Sequence, residues 1–228
     1  MNSAIIVAAG KSERMGVGTD KAFLSLGSRP VLAWSLLAFE QCHDIDQIVL
    51  VVRKEQIMAT RGAVQMFGIS KLRTIVAGGQ RRQDSVANGL VALDPDTRIV
   101  AVHDGARPCI TADLISETIR SAKRTGSGVA ASRVIDTIKF VERGAIVDHT
   151  LDRDKLWAVQ TPQTFKVELL RKAYAKVAEK GVTVTDEAAA MELLGEPVRL
   201  VEWPRSNPKI TTAEDLTVAA ALLKIQGS

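Results

Sequence analysis

Four polar clusters in this chain have the residue types and spacing to do chemistry. The first lies in Ile5–Lys21, where an apolar run breaks at Gly10 and the cations Lys11, Arg14 and Lys21 follow. A Gly-rich turn lets backbone N–H groups approach phosphate oxygens, and fixed cations then balance a triphosphate's charge. An anionic nucleotide is the natural ligand. The second cluster is Gly78-Gly79-x-x-Arg82-x-x-Ser85: the glycines let the backbone press against a base or ribose, and Ser85 opens a helix whose N-terminus favours anions. The third is His103-Asp104-Gly105-Ala106-Arg107-Pro108, with Asp104 placed to hold a divalent cation or a sugar hydroxyl. The fourth is Asn207-Pro208-Lys209. Taken singly, each also has a plain structural reading: solvated loop charges, a turn capped by Ser85, an Asp that forms a turn before Gly.

Two other chemistries fail in detail. Ser85, His103 and Asp104 do not make a hydrolase triad, because there is no G-x-S-x-G elbow and His103 and Asp104 point apart in an extended strand. A nicotinamide fingerprint starting at Gly10 would put Ser12 and Met15 where glycines belong, and strand two ends at Val52-Arg53 without the acidic residue that holds a ribose.

The elements that must position these clusters alternate. After the strand entering at Ile5, Pro30 opens a helix over Val31–Gln41 with Val31, Trp34, Leu37 and Ala38 at helical spacing. Ile48–Val52 reads as a strand buried on both faces, and Lys54–Phe67 as a helix stopped by Gly68. The alternation continues with a strand at Thr74–Ala77, a helix at Ser85–Leu93, a strand at Ile99–Val102, a helix from an N-cap at Thr111 to Arg124, and a strand at Gly128–Val134. Later come helices over Val167–Lys180 and from an N-cap at Thr185 to Leu194, stopped by Gly181 and Gly195. A strand at Val198–Trp203 and a helix opened by the capping box Thr211-x-x-Glu214 complete the chain. The pattern predicts an α/β, Rossmann-like fold: a mostly parallel, doubly wound sheet with helices on both faces, in one domain spanning 1–228. In such a sheet the loops after successive strands converge on one edge, so several clusters should share a cleft.

The rhythm breaks in residues 135–156, where Thr137–Glu142 and Ala145–Thr150 flank Arg143-Gly144 as a hairpin with a charged tip. A lone two-stranded hairpin is marginal in water. It must pack on its own domain or, the reading we favour, act as an arm that grips a second subunit. Thirty basic against twenty-six acidic residues leave a net charge of +4, which suits a small anionic substrate; the few aromatic residues and the lack of a dense basic patch argue against nucleic acid. Cys42 and Cys109 stand far apart with no CxxC, so neither a disulfide framework nor a zinc site is indicated, and a reducing cytoplasm fits. No apolar run approaches the roughly 18 residues of a membrane span, and the immediate entry into a strand leaves no room for a transit peptide. A soluble protein without a membrane partner is expected.

Taken in order, the clusters resemble the cytidylyltransferases that make 4-diphosphocytidyl-2-C-methyl-D-erythritol in the non-mevalonate isoprenoid pathway. The resemblance rests on Ala8-Ala9-Gly10 with Arg14-Met15-Gly16 and Lys21; Gly78-Gly79 with Arg82, Ser85-Val86 and Gly89-Leu90; His103 through Pro108; Asp136-Thr137-Ile138-Lys139; Asp152-Arg153 with Leu156-Trp157 and Gln160-Thr161-Pro162-Gln163; Thr185-Asp186-Glu187; and Asn207 with Lys209. The chain departs from the family pattern at Ser12, Asp20 and Pro208. The resemblance implies CTP and 2-C-methyl-D-erythritol 4-phosphate as substrates, pyrophosphate as by-product, and Mg²⁺ on the triphosphate, with protein ligands of the metal unassigned. It implies that Arg14 and Lys21 stabilise the transition state and that Arg153 and Lys209 hold the substrate phosphate. Ala8, Ala9, Gly10, Gly79, Arg82 and Ser85 would meet the nucleotide, and Asp104, Arg107 and Thr137 the sugar phosphate. Thr137 and Arg153 would reach the partner's site in a homodimer. A ribitol 5-phosphate cytidylyltransferase shares most of these clusters, with Gly105-Ala106 leaning toward the methylerythritol enzyme; an inactive nucleotide-binding module is the third reading, against which Arg14, Lys21, Arg153 and Lys209 together argue.

Overall fold

The computed structural model describes residues 1–10 and 21–225. The chain enters through β1 (Asn2–Ala8) and, after a 3-10 turn at Lys21–Phe23, makes a short antiparallel pair of β2 (Ser25–Leu26) with β3 (Arg29–Pro30). Helix α1 (Val31–Gln41) carries it to β4 (Gln47–Val52), and a 3-10 turn at Lys54–Gln56 leads through α2 (Ile57–Met66) to β5 (Leu72–Ala77). These strands pair in parallel in the order β1, β4, β5. The chain then crosses by α3 (Arg82–Val91) to β6 (Ile99–Asp104), which pairs in parallel with the opposite side of β1. That change of direction makes β1 and β6 the topological switch point, where open α/β sheets bind ligands beyond the carboxyl ends of their strands.

Helix α4 (Ala112–Thr125) leads to β7 (Ser127–Arg133), and an arm holding β8 (Lys139–Phe140) and β9 (His149–Thr150) follows. Strand β10 (Trp157–Lys166) then runs between β6 and β7, antiparallel to both. After α5 (Val167–Lys180) and α6 (Glu187–Leu194), β11 (Leu200–Glu202) joins the far side of β7 in parallel, and α7 (Ala213–Leu222) closes the described chain. The sheet order is β11-β7-β10-β6-β1-β4-β5.

Alternation along the buried strands sends side chains to both faces. In β4, Ile48, Leu50 and Val52 pack in one layer with Phe39 of α1 and Leu114 of α4. Val49 and Val51 pack in the other with Val86 of α3, Leu170 of α5 and Met191 of α6. Each such side chain contributes roughly 1.5–3 kcal/mol by leaving water, so the rigid middle of the sheet can hold polar groups at its carboxyl edge. Helix α7 covers a smaller cluster with Leu26, Val31 and Ile210.

Several elements differ from the sequence reading. Strand β10 is absent from it, because a run rich in Gln and Thr with an internal Pro lacks the apolar period of a central strand. Yet Thr161 through Phe165 are buried. The ladder accommodates Pro162 because the β10–β7 register shifts between Val159 and Gln163, so the proline sits in an irregularity and owes no ladder bond. Helix α3 begins at Arg82, not Ser85, because the Asp84 carboxylate accepts from the Arg81 backbone N–H at 3.0 Å. Asp186, not Thr185, caps α6, accepting from Ala189 N–H at 2.9 Å. The last capping box is Thr212 with Asp215, one residue beyond Thr211 and Glu214. The arm's ladder is shorter than expected, with only Lys139–Thr150 and Phe140–His149 paired.

Candidate active site

At the carboxyl end of β1 the main chain passes Ala8 and Ala9 and reaches Gly10, going from buried to exposed over these residues. Beside it, the loop after β5 is drawn in by a hydrogen bond from Gly78 N–H to the Val52 carbonyl at 2.8 Å. A Cβ on Gly78 would lie 2.4 Å from Ala9 Cβ and 2.8 Å from Ser85 Oγ, so only glycine lets the two loops and α3 meet this closely. The Ser85 hydroxyl accepts from Gly79 N–H at 3.1 Å and donates to the Arg81 carbonyl at 3.2 Å. Ser85 therefore sits inside the first turns of α3 and braces the Gly loop; it does not cap the helix. Ala9, Gly78, Gly79 and Ser85 form one wall.

Asp104, the last residue of β6, stands at the centre of the edge. Arg82 Nε donates to its Oδ1 at 3.0 Å, and Lys209 Nζ donates to its Oδ2 at 2.6 Å. The Asp104 backbone N–H donates to Thr161 Oγ1 of β10 at 3.1 Å, and the same hydroxyl meets His103 Nδ1 at 3.1 Å. Burial works against the Asp104 charge, but Arg82 and Lys209 overcome it and hold the carboxyl well below the usual range. It is ionised at any physiological pH. Arg82 is opposed by burial too, and Glu187 and Asp104 together push its pKa up. Its Nη1 and Nη2 form a fork on the Glu187 carboxylate at 2.8 and 3.0 Å. Burial lowers the pKa of His103 to about 3, so its ring is neutral and structural.

The loop before α7 is stitched to this edge. Asn207 Nδ2 donates to the Thr161 carbonyl at 2.9 Å, Arg107 Nη1 donates to the Asn207 carbonyl at 2.7 Å, and Ile210 N–H donates to the Ala106 carbonyl at 2.8 Å. Lys209 is thereby delivered to Asp104. Arg107 Nε and Asn207 Oδ1 are buried without a partner among the described residues. Lys209 spends one of its three donors on Asp104, leaving two for a ligand. Three cations (Arg82, Arg107, Lys209) against two carboxylates (Asp104, Glu187) leave the edge positive, as an anionic substrate requires.

The structure thus brings together Ala9, Gly79, Arg82, Ser85, Asp104, Arg107 and Lys209, with Ala8 and Gly10 on the adjoining turn. Arg14 lies outside the described residues, as do Lys11, Ser12, Met15, Gly16 and Asp20, and of Lys21 only the backbone is described. Thr137 and Arg153 are exposed on the arm; Arg153 Nη1 donates to the Ile135 carbonyl at 2.7 Å. Among the described residues no hydrogen bond or ion pair joins the arm to the Asp104 cluster. Glu187, Thr161 and Tyr174 were not anticipated as site residues. Glu187 lies in a motif noted above, but a Glu in a first helical turn reads as a partner of the helix dipole and not as a buried counter-ion. Among the described residues no group of three His, Cys, Asp or Glu side chains could hold a metal ion. Asp104 offers a single carboxylate, each oxygen of which already accepts from one cation; that suits a metal ion carried chiefly by substrate phosphates and not an all-protein cage.

The profile of the 2-C-methyl-D-erythritol 4-phosphate cytidylyltransferase family matches residues 2–225. The chain is 44% identical over 223 residues to the 2-C-methyl-D-erythritol 4-phosphate cytidylyltransferase of Alkaliphilus oremlandii, covering 97% of this chain and 94% of that one. It is 45% identical over 222 residues to the Desulforamulus reducens enzyme, covering 97% and 95%. Among solved structures it resembles the 4-diphosphocytidyl-2C-methyl-D-erythritol synthase of Anaerococcus prevotii, with a TM-score of 0.84, 34% identity and 98% of each chain covered. The Thermus thermophilus 2-C-methyl-D-erythritol 4-phosphate cytidylyltransferase aligns with a TM-score of 0.80 and 34% identity, over 99% of this chain and 100% of that one.

Proposed function

The chain belongs to the 2-C-methyl-D-erythritol 4-phosphate cytidylyltransferase family, and from that premise we propose how its own residues carry out the reaction. The enzyme is a nucleotidyltransferase of isoprenoid biosynthesis that joins CTP to 2-C-methyl-D-erythritol 4-phosphate, giving 4-diphosphocytidyl-2-C-methyl-D-erythritol and pyrophosphate. The attacking phosphate monoester has its second pKa near 6 and is largely a dianion at neutral pH, so it needs no general base. That matches a site whose only described histidine, His103, is buried and neutral. The obstacle is bringing one anion onto another, and positioning with charge stabilisation at the α-phosphorus removes it.

In this reading the wall of Ala8, Ala9, Gly10, Gly79 and Ser85 takes cytosine and ribose largely through backbone groups, and Arg82 takes the nucleotide's charge. Asp104 accepts from the sugar hydroxyls, Arg107 uses its unpartnered Nε, and Lys209 uses its two free donors on the substrate phosphate. Arg14 and Lys21 stabilise the charge that develops at the α-phosphorus. Thr137 and Arg153 act on the neighbouring subunit's site, so the enzyme is a homodimer with shared active sites. Exposed Ile135, Phe140, Ile146 and Val147 on the arm support this, since they need a cover that the arm's own two residue pairs do not give. Mg²⁺ bound with the triphosphate would neutralise phosphate charge, and Asp104 is the site carboxylate that would help to hold it. No helix among the described residues is long and apolar enough to cross a membrane, and we assign the enzyme to the cytoplasm.

The observation that carries this reading is the convergence of Arg82 and Lys209 on Asp104 beside the Gly78–Ser85 wall. Its test is pyrophosphate release with each nucleoside triphosphate paired with each sugar-alcohol phosphate. CTP with the methylerythritol phosphate should turn over fastest; a preference for ribitol 5-phosphate would overturn the substrate assignment.

A further inference from the structure

Two motifs have no role in the mechanism above: Gln160-Thr161-Pro162-Gln163 of β10 and Thr185-Asp186-Glu187 at the start of α6. The structure joins them. Gln163 Nε2 donates to Asp186 Oδ2 at 2.9 Å, and its Oε1 accepts from Ala188 N–H at 2.9 Å, so β10 grips the first turn of α6 from within the core. Asp186 also caps that turn. Glu187 is thereby fixed between α3 and α5 with its side chain 0% exposed. Its carboxylate is fully engaged: Arg82 forks onto both oxygens, and the Tyr174 hydroxyl donates to Oε1 at 3.0 Å. Burial and the neighbouring Glu187 push the Tyr174 pKa upward, so the hydroxyl keeps its proton and donates.

Arginine has five N–H donors in a rigid fork. Arg82 gives two to Glu187 and one to Asp104, and its side chain is 26% exposed. Two donors are left over. Pinned at three points by two carboxylates on different elements, the guanidinium plane cannot rotate, and the leftover donors keep one orientation. We propose that Glu187 is a positioning residue of the reaction: it touches no substrate, but through its fork on Arg82 it presets the donors that Arg82 offers to the nucleotide phosphates. This rests on the reading that Arg82 meets the nucleotide. A buried carboxylate retained only for stability would, once made uncharged, lower the melting temperature and leave ligand affinity intact; one that aims a cation must change the affinity as well.

The test measures Mg²⁺–CTP affinity by titration calorimetry without the sugar phosphate, with melting temperature recorded for every variant. Glu187→Gln keeps shape and loses charge, Arg82→Lys keeps charge and loses the fork, and the double variant closes the cycle. We expect each single change to weaken CTP binding about tenfold and the double change to weaken it no more than about threefold beyond Arg82→Lys, because residues acting through one contact are not additive. Tyr174→Phe, which keeps all charges, should weaken binding about two- to threefold, and should be silent in the Arg82→Lys background. A Glu187→Gln protein that melts earlier but binds CTP normally, or a double variant in which both losses multiply, overturns the positioning role. An Arg82→Lys protein that binds CTP normally overturns instead the placing of Arg82 at the nucleotide.

Discussion

Single residues at this site act through charge held in place. Lys21 follows the Gly-containing, cation-bearing stretch that comes after β1 in the sequence, and removing a preorganised charge beside a developing anion typically costs several kcal/mol. Lys21→Ala should therefore lose at least about 100-fold in kcat while keeping its melting temperature; near-normal turnover in a folded variant would remove Lys21 from catalysis. His103 makes a different prediction, about stability. Its folded pKa is depressed to about 3 against an ordinary value of 6.5, so between these limits the unfolded chain binds the extra proton. Stability attributable to this residue is whole above pH 6.5 and falls as pH drops toward 3. Denaturant titrations should lose on the order of 1 kcal/mol per pH unit between about pH 6 and 4. His103→Leu should flatten that slope, and an unchanged slope would mean the ring is not the group responsible. The window excludes Asp104, whose pKa is also lowered, because its contribution is lost only below the ordinary carboxylate range.

At the scale of elements, sequence was informative wherever hydrophobic periodicity and punctuation set the structure. Apart from the short β2–β3 pair, the order of alternating strands and helices from β1 to β7 follows the spacing, and α5 and α6 stop at Gly181 and Gly195 as read. Strand β10 was illegible because its burial is satisfied by hydrogen bonds and not by apolar area: Thr161, Gln163 and Thr164 each bond a group on another element. Helix starts moved by one to three residues because a carboxylate outcompeted the hydroxyl that sequence suggested, as with Asp84 over Ser85 and Asp186 over Thr185. Glu187 escaped for a related reason, since only the docking of α6 against α3 turns a helix-start acid into a counter-ion. The juxtaposition of the β1 and β5 loops yields a prediction at this scale. Gly78→Ala places a methyl 2.4 Å from Ala9 Cβ, which cannot rotate away. The two loops must separate, at a cost of roughly 1–3 kcal/mol for overpacking. The crevice geometry should suffer more than the fold, so CTP affinity should fall about tenfold or more with a melting temperature lowered by only a few degrees; intact CTP affinity would show that the wall tolerates the methyl and is not the nucleotide's seat.

For the whole molecule the question is whether one chain holds a complete site. Within the chain, Arg153 spends a donor on Ile135 in its own arm, while Lys209 and Arg82 converge on Asp104. If the arm serves a neighbour, a site draws Lys21 from one chain and Arg153 from the other. Homodimers of Lys21→Ala or of Arg153→Ala then have two damaged sites and little activity. Mixed dimers carry both lesions in one site and none in the other. Random reassembly makes about half the dimers mixed, each with one intact site of two, so activity should recover to roughly one quarter of wild type by the pairing of a twofold dimer. If Arg153 acts on its own chain, every site in the mixture retains a lesion and activity stays at the level of the parents. Differently tagged chains establish that mixed dimers have formed. Mixed dimers without recovery would refute the shared site and leave the arm an assembly device, whereas a quarter of wild-type rate would mean that no isolated subunit of this enzyme contains its full catalytic apparatus.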